Sequence, residues 1–77
     1  MKNTWREPVQ IKERPGITRM VKSVDEALQV IDWWPVTRRW QRSVDILIQA
    51  QLGNKTPEEG RKAFVEAARE AKALIGE

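Results

Sequence analysis

Seventy-seven residues make a single domain, taken here as residues 1–77. A chain of this size buries only about 60–65% of its unfolded surface, which excludes a deep cleft between two lobes. Hydrophobic residues at 40% and charged residues at 32% describe a globular chain rather than a disordered one. The net charge of +3 is uneven, with nine Lys/Arg against five Asp/Glu in residues 1–42 and five against six in residues 43–77. That lean is too slight for a dedicated nucleic-acid binder.

The chain has no His, Cys or Tyr. Imidazole bases, thiolate nucleophiles and zinc sites built from nitrogen and sulfur are therefore closed to it. No cofactor and no metal is implied. No apolar run approaches the length that spans a bilayer, and the opening residues lack the apolar core of a signal peptide. The absence of cysteine suits a reducing compartment. The expectation is a cytoplasmic protein.

Val9 and Ile11 alternate with Pro8, Gln10 and Lys12, the period of a half-buried strand. Arg14-Pro15-Gly16-Ile17 carries turn chemistry, and a second short strand follows to about Lys22. Its register is ambiguous, because Met20 and Val21 point to opposite faces. A three-residue loop would set Val9 opposite Val21 and join the two apolar faces, so it is the register expected. The hairpin covers about residues 5–22.

Ser23-Val24-Asp25-Glu26 has the form of a capping box. The helix it opens, residues 24–34, carries Val24, Ala27, Leu28, Ile31 and Trp34 on one face, and Pro35 ends it. Thr37 is the expected cap of a second helix over residues 38–52. Trp40, Val44, Leu47 and Ile48 share its apolar arc, and Gln51 falls within that arc as the expected cap of a backbone group. Gly53 stands where a left-handed stop belongs. Thr56-Pro57-Glu58-Glu59 starts the last helix, residues 57–75, with an N-cap, a proline and a glutamate in order. Ala63, Phe64, Ala67, Ala68, Ala71, Leu74 and Ile75 form its apolar face. Glu58–Lys62 and Glu66–Arg69 are the pairs expected on its polar side. The fold class is α+β, an N-terminal β-hairpin packed on three α-helices (ββααα).

The pattern assembled from Trp5…Pro8-Val9, Arg19-x-Val21-x-Ser23-Val24-x-Glu26-Ala27, Trp34-Pro35, Leu52-Gly53 and Ala63-Phe64-Val65-Glu66-Ala67-Ala68-Arg69-Glu70-Ala71 resembles domain-of-unknown-function family 982. Those are short proteins of rhizobia and related alphaproteobacteria. The resemblance covers nearly the whole chain and implies a bacterial origin and this fold. It implies no activity, cofactor or catalytic residue. The chain departs from the family after the Trp-Pro step, where Val36-Thr37-Arg38-Arg39-Trp40 replaces a small or glycine-containing stretch.

Trp5, Trp34 and Trp40 sit on apolar faces and are read as core. Trp33 projects about 140° from Leu28, off the stripe. It is either an exposed anchor for a partner or a lid folded over the hairpin. Arg38, Arg39 and Arg42 cluster at the start of the second helix, where the helix dipole disfavours cations. The bland reading pairs Arg42 with Asp45, and Arg38 or Arg39 with Asp32. The functional one is an anion site, which with Trp33 would offer single-stranded nucleic acid a stacking and phosphate-binding surface.

Asp25, Glu26, Asp32, Glu58 and Glu59 are mostly explained as caps or polar faces, Ser23 and Thr56 are caps, and Ser43 has no base in sight. The chain is not expected to be an enzyme. Function is expected to lie in a protein-interaction module, with Trp33, Arg38, Arg39 and Arg42 as the candidate binding surface. A homodimer through the hairpin edge is the further partner expectation, and no membrane partner is expected.

Overall fold

The computed structural model describes residues 4–75, so the ends of the 1–77 unit lie outside the described residues. The order is strand β1 (Thr4–Arg14), strand β2 (Ile17–Ser23) and helices α1 (Val24–Ile31), α2 (Arg38–Gln51) and α3 (Pro57–Glu70). An antiparallel hairpin followed by three helices is the α+β arrangement expected.

Val9 does pair with Val21, and Ile11 with Arg19. The loop differs from the expectation: the turn is only Pro15-Gly16, and the register shifts by one residue between Lys12 and Arg14. The extra residue on β1 preserves the same pairing. Gly16 takes φ +82° and a β-carbon there would meet nothing within 4 Å, so the turn needs glycine for its backbone rather than for space. A second shift lies between Thr4 and Val9, around Pro8, which has no N–H for the ladder.

One face of the hairpin lies on the helices. Val9, Ile11 and Val21 are buried there with Trp5, Val24, Ala27, Val30, Ile31, Leu47 and Phe64. Phe64 is the centre of an aromatic group, 5.3 Å from Trp34 in a stacked pair and 5.7 Å from Trp5 in a tilted one. The Trp5 indole N–H is buried without a partner among the described residues. On α2 the buried positions are Ser43, Leu47 and Ala50, while Ile48 is exposed. The buried arc is thus rotated from the expected one, because small residues let α3 approach there. Gly60 of α3 marks the closest point: a methyl group on it would sit 3.3 Å from Ala50, Leu47 and Val24 side chains.

Each helix start follows its sequence signal. The Ser23, Thr37 and Thr56 hydroxyls accept from the N–H groups of Glu26, Trp40 and Glu59. The Thr56 box is reciprocal, the Glu59 carboxylate accepting from the Thr56 N–H at 2.8 Å. The Glu59 carboxyl is held below the usual value by the Thr56 backbone and hydroxyl hydrogen bonds, which outweigh desolvation, with Lys55 adding the smallest effect. Glu26 instead accepts from the Lys22 N–H at 2.9 Å, one residue before the expected partner. Among the described residues Gln51 caps no backbone group: its amide donates to Asp25 at 2.8 Å and ties α2 to α1. Glu58 accepts from the Arg6 N–H at 3.4 Å rather than meeting Lys62.

Two helices stop earlier than their apolar periods suggest. α1 ends at Ile31, with Asp32 as C-cap, and does not reach Trp34. α3 ends at Glu70 and does not reach Ile75. After the C-cap Ala71, Lys72 takes φ +59°, a left-handed conformation uncommon for a side chain with a β-carbon. The Lys72 and Ala73 N–H groups return to the Arg69 and Ala68 carbonyls at 3.0 and 2.8 Å, the two bonds of a Schellman stop. The chain then runs beside β1: Lys12 N–H donates to Ala73 at 2.8 Å and Ile75 N–H to Gln10 at 3.1 Å. Apolar residues at 73–75 therefore belong to an extended strip along the β1 edge.

Candidate functional site

The turn from Asp32 to Thr37 is shaped by one missing donor. Continued as helix, the Ile31 carbonyl would accept from residue 35, and proline has no N–H. Trp34 N–H approaches that oxygen at 3.3 Å, and the Trp40 indole Nε1–H donates to it at 2.7 Å. A side chain of α2 thus satisfies the end of α1. The same geometry sends the two adjacent tryptophans opposite ways. Trp34 turns in and stacks on Phe64.

Trp33 turns out, with 51% of its surface exposed. The Arg19 guanidinium lies 5.5 Å from its ring centroid, within cation–π range. Arg19 is also 3.7 Å from the Glu13 carboxylate. Trp33 and Trp34 form one wall of an open groove of about 390 Å³, whose other wall is Lys12, Glu13 and Pro15 of the hairpin and Ala71–Ala73 after α3. Trp33 therefore combines both expectations: one side meets the hairpin, and half of the ring stays in solvent.

Arg38, Arg39 and Arg42 are exposed on the first turns of α2. Among the described residues they form no ion pair with Asp32 or Asp45; exposed pairs of this kind contribute little against the freedom of a long side chain. The α2 N-terminus has a carboxylate of its own. Thr37 Oγ1 donates to Glu70 at 2.9 Å while accepting from the Trp40 N–H at 3.1 Å. The cation on the Trp33 ring is Arg19, not one of the three α2 arginines. Trp34 and Ala71 line both the Trp33 groove and the small cavity beside Thr37 and Glu70.

Arg19, Glu13, Lys12 and Lys72 are the site residues that reading the chain in sequence misses. Arg19 and Glu13 had a signal, since the Val9–Val21 register places both on the inner face near the turn. Lys72 had none, because its position depends on α3 stopping early. Among the described residues, no group of three or more His, Cys, Asp or Glu could hold a metal ion. No described helix is long and apolar enough to cross a membrane.

Residues 7–75 match the model of a protein family of unknown function, DUF982. The chain belongs to that family. No curated protein and no solved structure matches it. Within this DUF982 chain the match takes in β1 from Glu7 onward, β2, all three helices and every residue of the Trp33 surface.

Proposed function

We propose that this DUF982 protein is a non-catalytic, cytoplasmic protein-interaction module that meets a protein partner through Trp33 and the neighbouring basic surface. The observation that carries this reading is Trp33 itself, half in solvent, while the next residue, read from the sequence as core, is half-buried and stacks on Phe64. Tryptophan is enriched among interface hot spots because a large rigid ring buries much area at little entropic cost. The open groove beside it supplies a second wall, and Lys12 and Lys72 in its lining favour an acidic partner, with Arg38, Arg39 and Arg42 adding positive charge on the first turns of α2.

A second reading is weak binding of nucleic acid or another anion by Arg38, Arg39 and Arg42 together with Trp33. It is favoured by the three guanidinium groups, which have no ion-pair partner among the described residues. The Glu70 carboxylate at the same helix end works against it. Affinity capture from the native cytoplasm separates the two, with nuclease-treated and untreated samples compared and Trp33→Ala as control. A protein retained after nuclease treatment and lost with Trp33→Ala supports the first reading. Binding that disappears with nuclease, and falls steeply with added salt, supports the second.

A further inference from the structure

The two edges of the hairpin have different fates. On β1, Gln10 and Lys12 turn their backbone groups outward, and the strip at residues 73–75 meets the Lys12 N–H and the Gln10 carbonyl. Gln10 lies opposite Met20 and Lys12 opposite Thr18. In an antiparallel ladder such opposite pairs face away from each other together, so Thr18 and Met20 direct their N–H and C=O groups outward from β2. Nothing among the described residues meets them. The next outward N–H, that of Lys22, is held by Glu26 at 2.9 Å. The open edge is therefore one short stretch centred on Arg19.

We propose that this edge pairs with the same edge of a second copy, antiparallel about a two-fold axis at Arg19. Thr18 then lies opposite Met20 of the partner subunit, and Met20 opposite Thr18 of the partner subunit. Each pair exchanges both N–H···O bonds, so four bonds use the outward N–H and C=O groups of Thr18 and Met20 on both edges. A two-fold at Met20 instead requires the Lys22 N–H, which Glu26 already occupies.

The side chains agree with the Arg19 axis. Ile17 and Met20 are 47% and 43% exposed, and pairing sets Met20 beside Thr18 of the partner subunit on the outer face. Arg19 meets its symmetry mate, but each guanidinium has its own Glu13 at 3.7 Å, so the cluster at the axis is balanced in charge. The occupant is a second copy rather than a foreign strand because the edge is self-complementary in this register. With residues 73–75 against β1, the described residues offer the β2 edge for pairing, and a two-fold at that edge gives a closed dimer.

Sedimentation of the full chain over a rising concentration series tests this, since a short edge gives a dimer that dissociates on dilution. The wild type is expected to move from monomer toward twice the monomer mass between micromolar and millimolar protein. Met20→Pro removes an outward N–H without touching the β1 ladder and is expected to remain monomeric with an unchanged circular dichroism spectrum. A wild type that stays monomeric at millimolar concentration overturns the proposal, as does a folded Met20→Pro that dimerises like it. Because proline in a strand can unfold a small domain, single cysteines give a separate readout in a chain with no native thiol. The axis places residue 19 opposite itself in a non-hydrogen-bonded pair, with α-carbons about 4.5 Å apart, within disulfide range. Arg19→Cys is expected to oxidise to a covalent dimer faster than Thr18→Cys or Met20→Cys. Equal rates, or fastest linkage through Met20→Cys, overturn the register. Trp33→Ala keeps the Thr18 and Met20 backbone groups and is expected to dimerise like the wild type. A folded Trp33→Ala that stays monomeric would assign the association to the Trp33 surface, which shares Arg19 with this edge, and overturn the proposal.

Discussion

Trp33 and Trp34 are neighbours in sequence and opposites in structure. Trp34 completes an aromatic interior with Phe64 and Trp5, where each ring is held from several elements. Trp33 has a single aromatic-to-cation contact with Arg19 and an open groove on its other side. The difference follows from Pro35, which ends α1 early and rotates the two residues apart. Burial in the interior stabilises the fold, whereas exposure at the turn leaves a large ring available to a partner. Substitutions in the two regions should therefore affect different measurements.

The largest effect is expected for Phe64→Ala, which empties the centre of the aromatic group. Large-to-small changes of this kind cost about 3–5 kcal/mol, and a domain this small is expected to be mostly unfolded by circular dichroism at room temperature. A folded, cooperative variant would show that the interior is not organised around Phe64. Trp40→Phe keeps most of the ring but deletes the indole donor, leaving the Ile31 carbonyl without its closest partner. A loss of about 1–3 kcal/mol in denaturant unfolding is expected, and an unchanged midpoint would remove Trp40 from its place at the end of α1.

Those two residues also show what the sequence makes legible and what it does not. All three helix starts were readable, because Ser23, Thr37 and Thr56 act on N–H groups three residues away. The hairpin register was readable from Val9 and Val21. Helix ends were harder. The α1 stop depends on a donor from Trp40, nine residues on, and the α3 stop on a strand edge at the far end of the chain. Leu74 and Ile75 satisfy a helical period and an extended strip equally well, so pattern alone favours the longer helix. Gly60 and Ser43 matter through close approach of α2 and α3, which no local pattern announces. Of the candidate surface, Trp33 was legible as off the stripe; its partner Arg19 required the register, and the lysines required the tertiary fold.

Lys72→Gly acts on the groove wall opposite Trp33. Glycine takes the left-handed conformation at C′ without the steric cost of a β-carbon, so a stabilisation of roughly 1 kcal/mol is expected. An unchanged or lowered melting temperature would mean that the lysine side chain contributes contacts that offset its backbone strain. A smaller effect is expected at the Thr56 cap, far from both tryptophans. A carboxyl whose folded pKa is depressed contributes stability above its unfolded pKa and loses it as pH falls through the folded value. The stability difference between wild type and Glu59→Gln should therefore shrink in acid. A difference that grows as pH falls would reverse that assignment.

The most direct test sets Trp33→Ala beside Trp34→Ala in denaturant unfolding, with partner capture measured on the same two proteins. Trp33→Ala is predicted to cost about 1 kcal/mol or less, the scale of one cation–π contact, yet to lose its captured partner. Trp34→Ala is predicted to cost several times more, through the lost stacking on Phe64. Equal destabilisation by the two, or full partner capture by a folded Trp33→Ala, would contradict it.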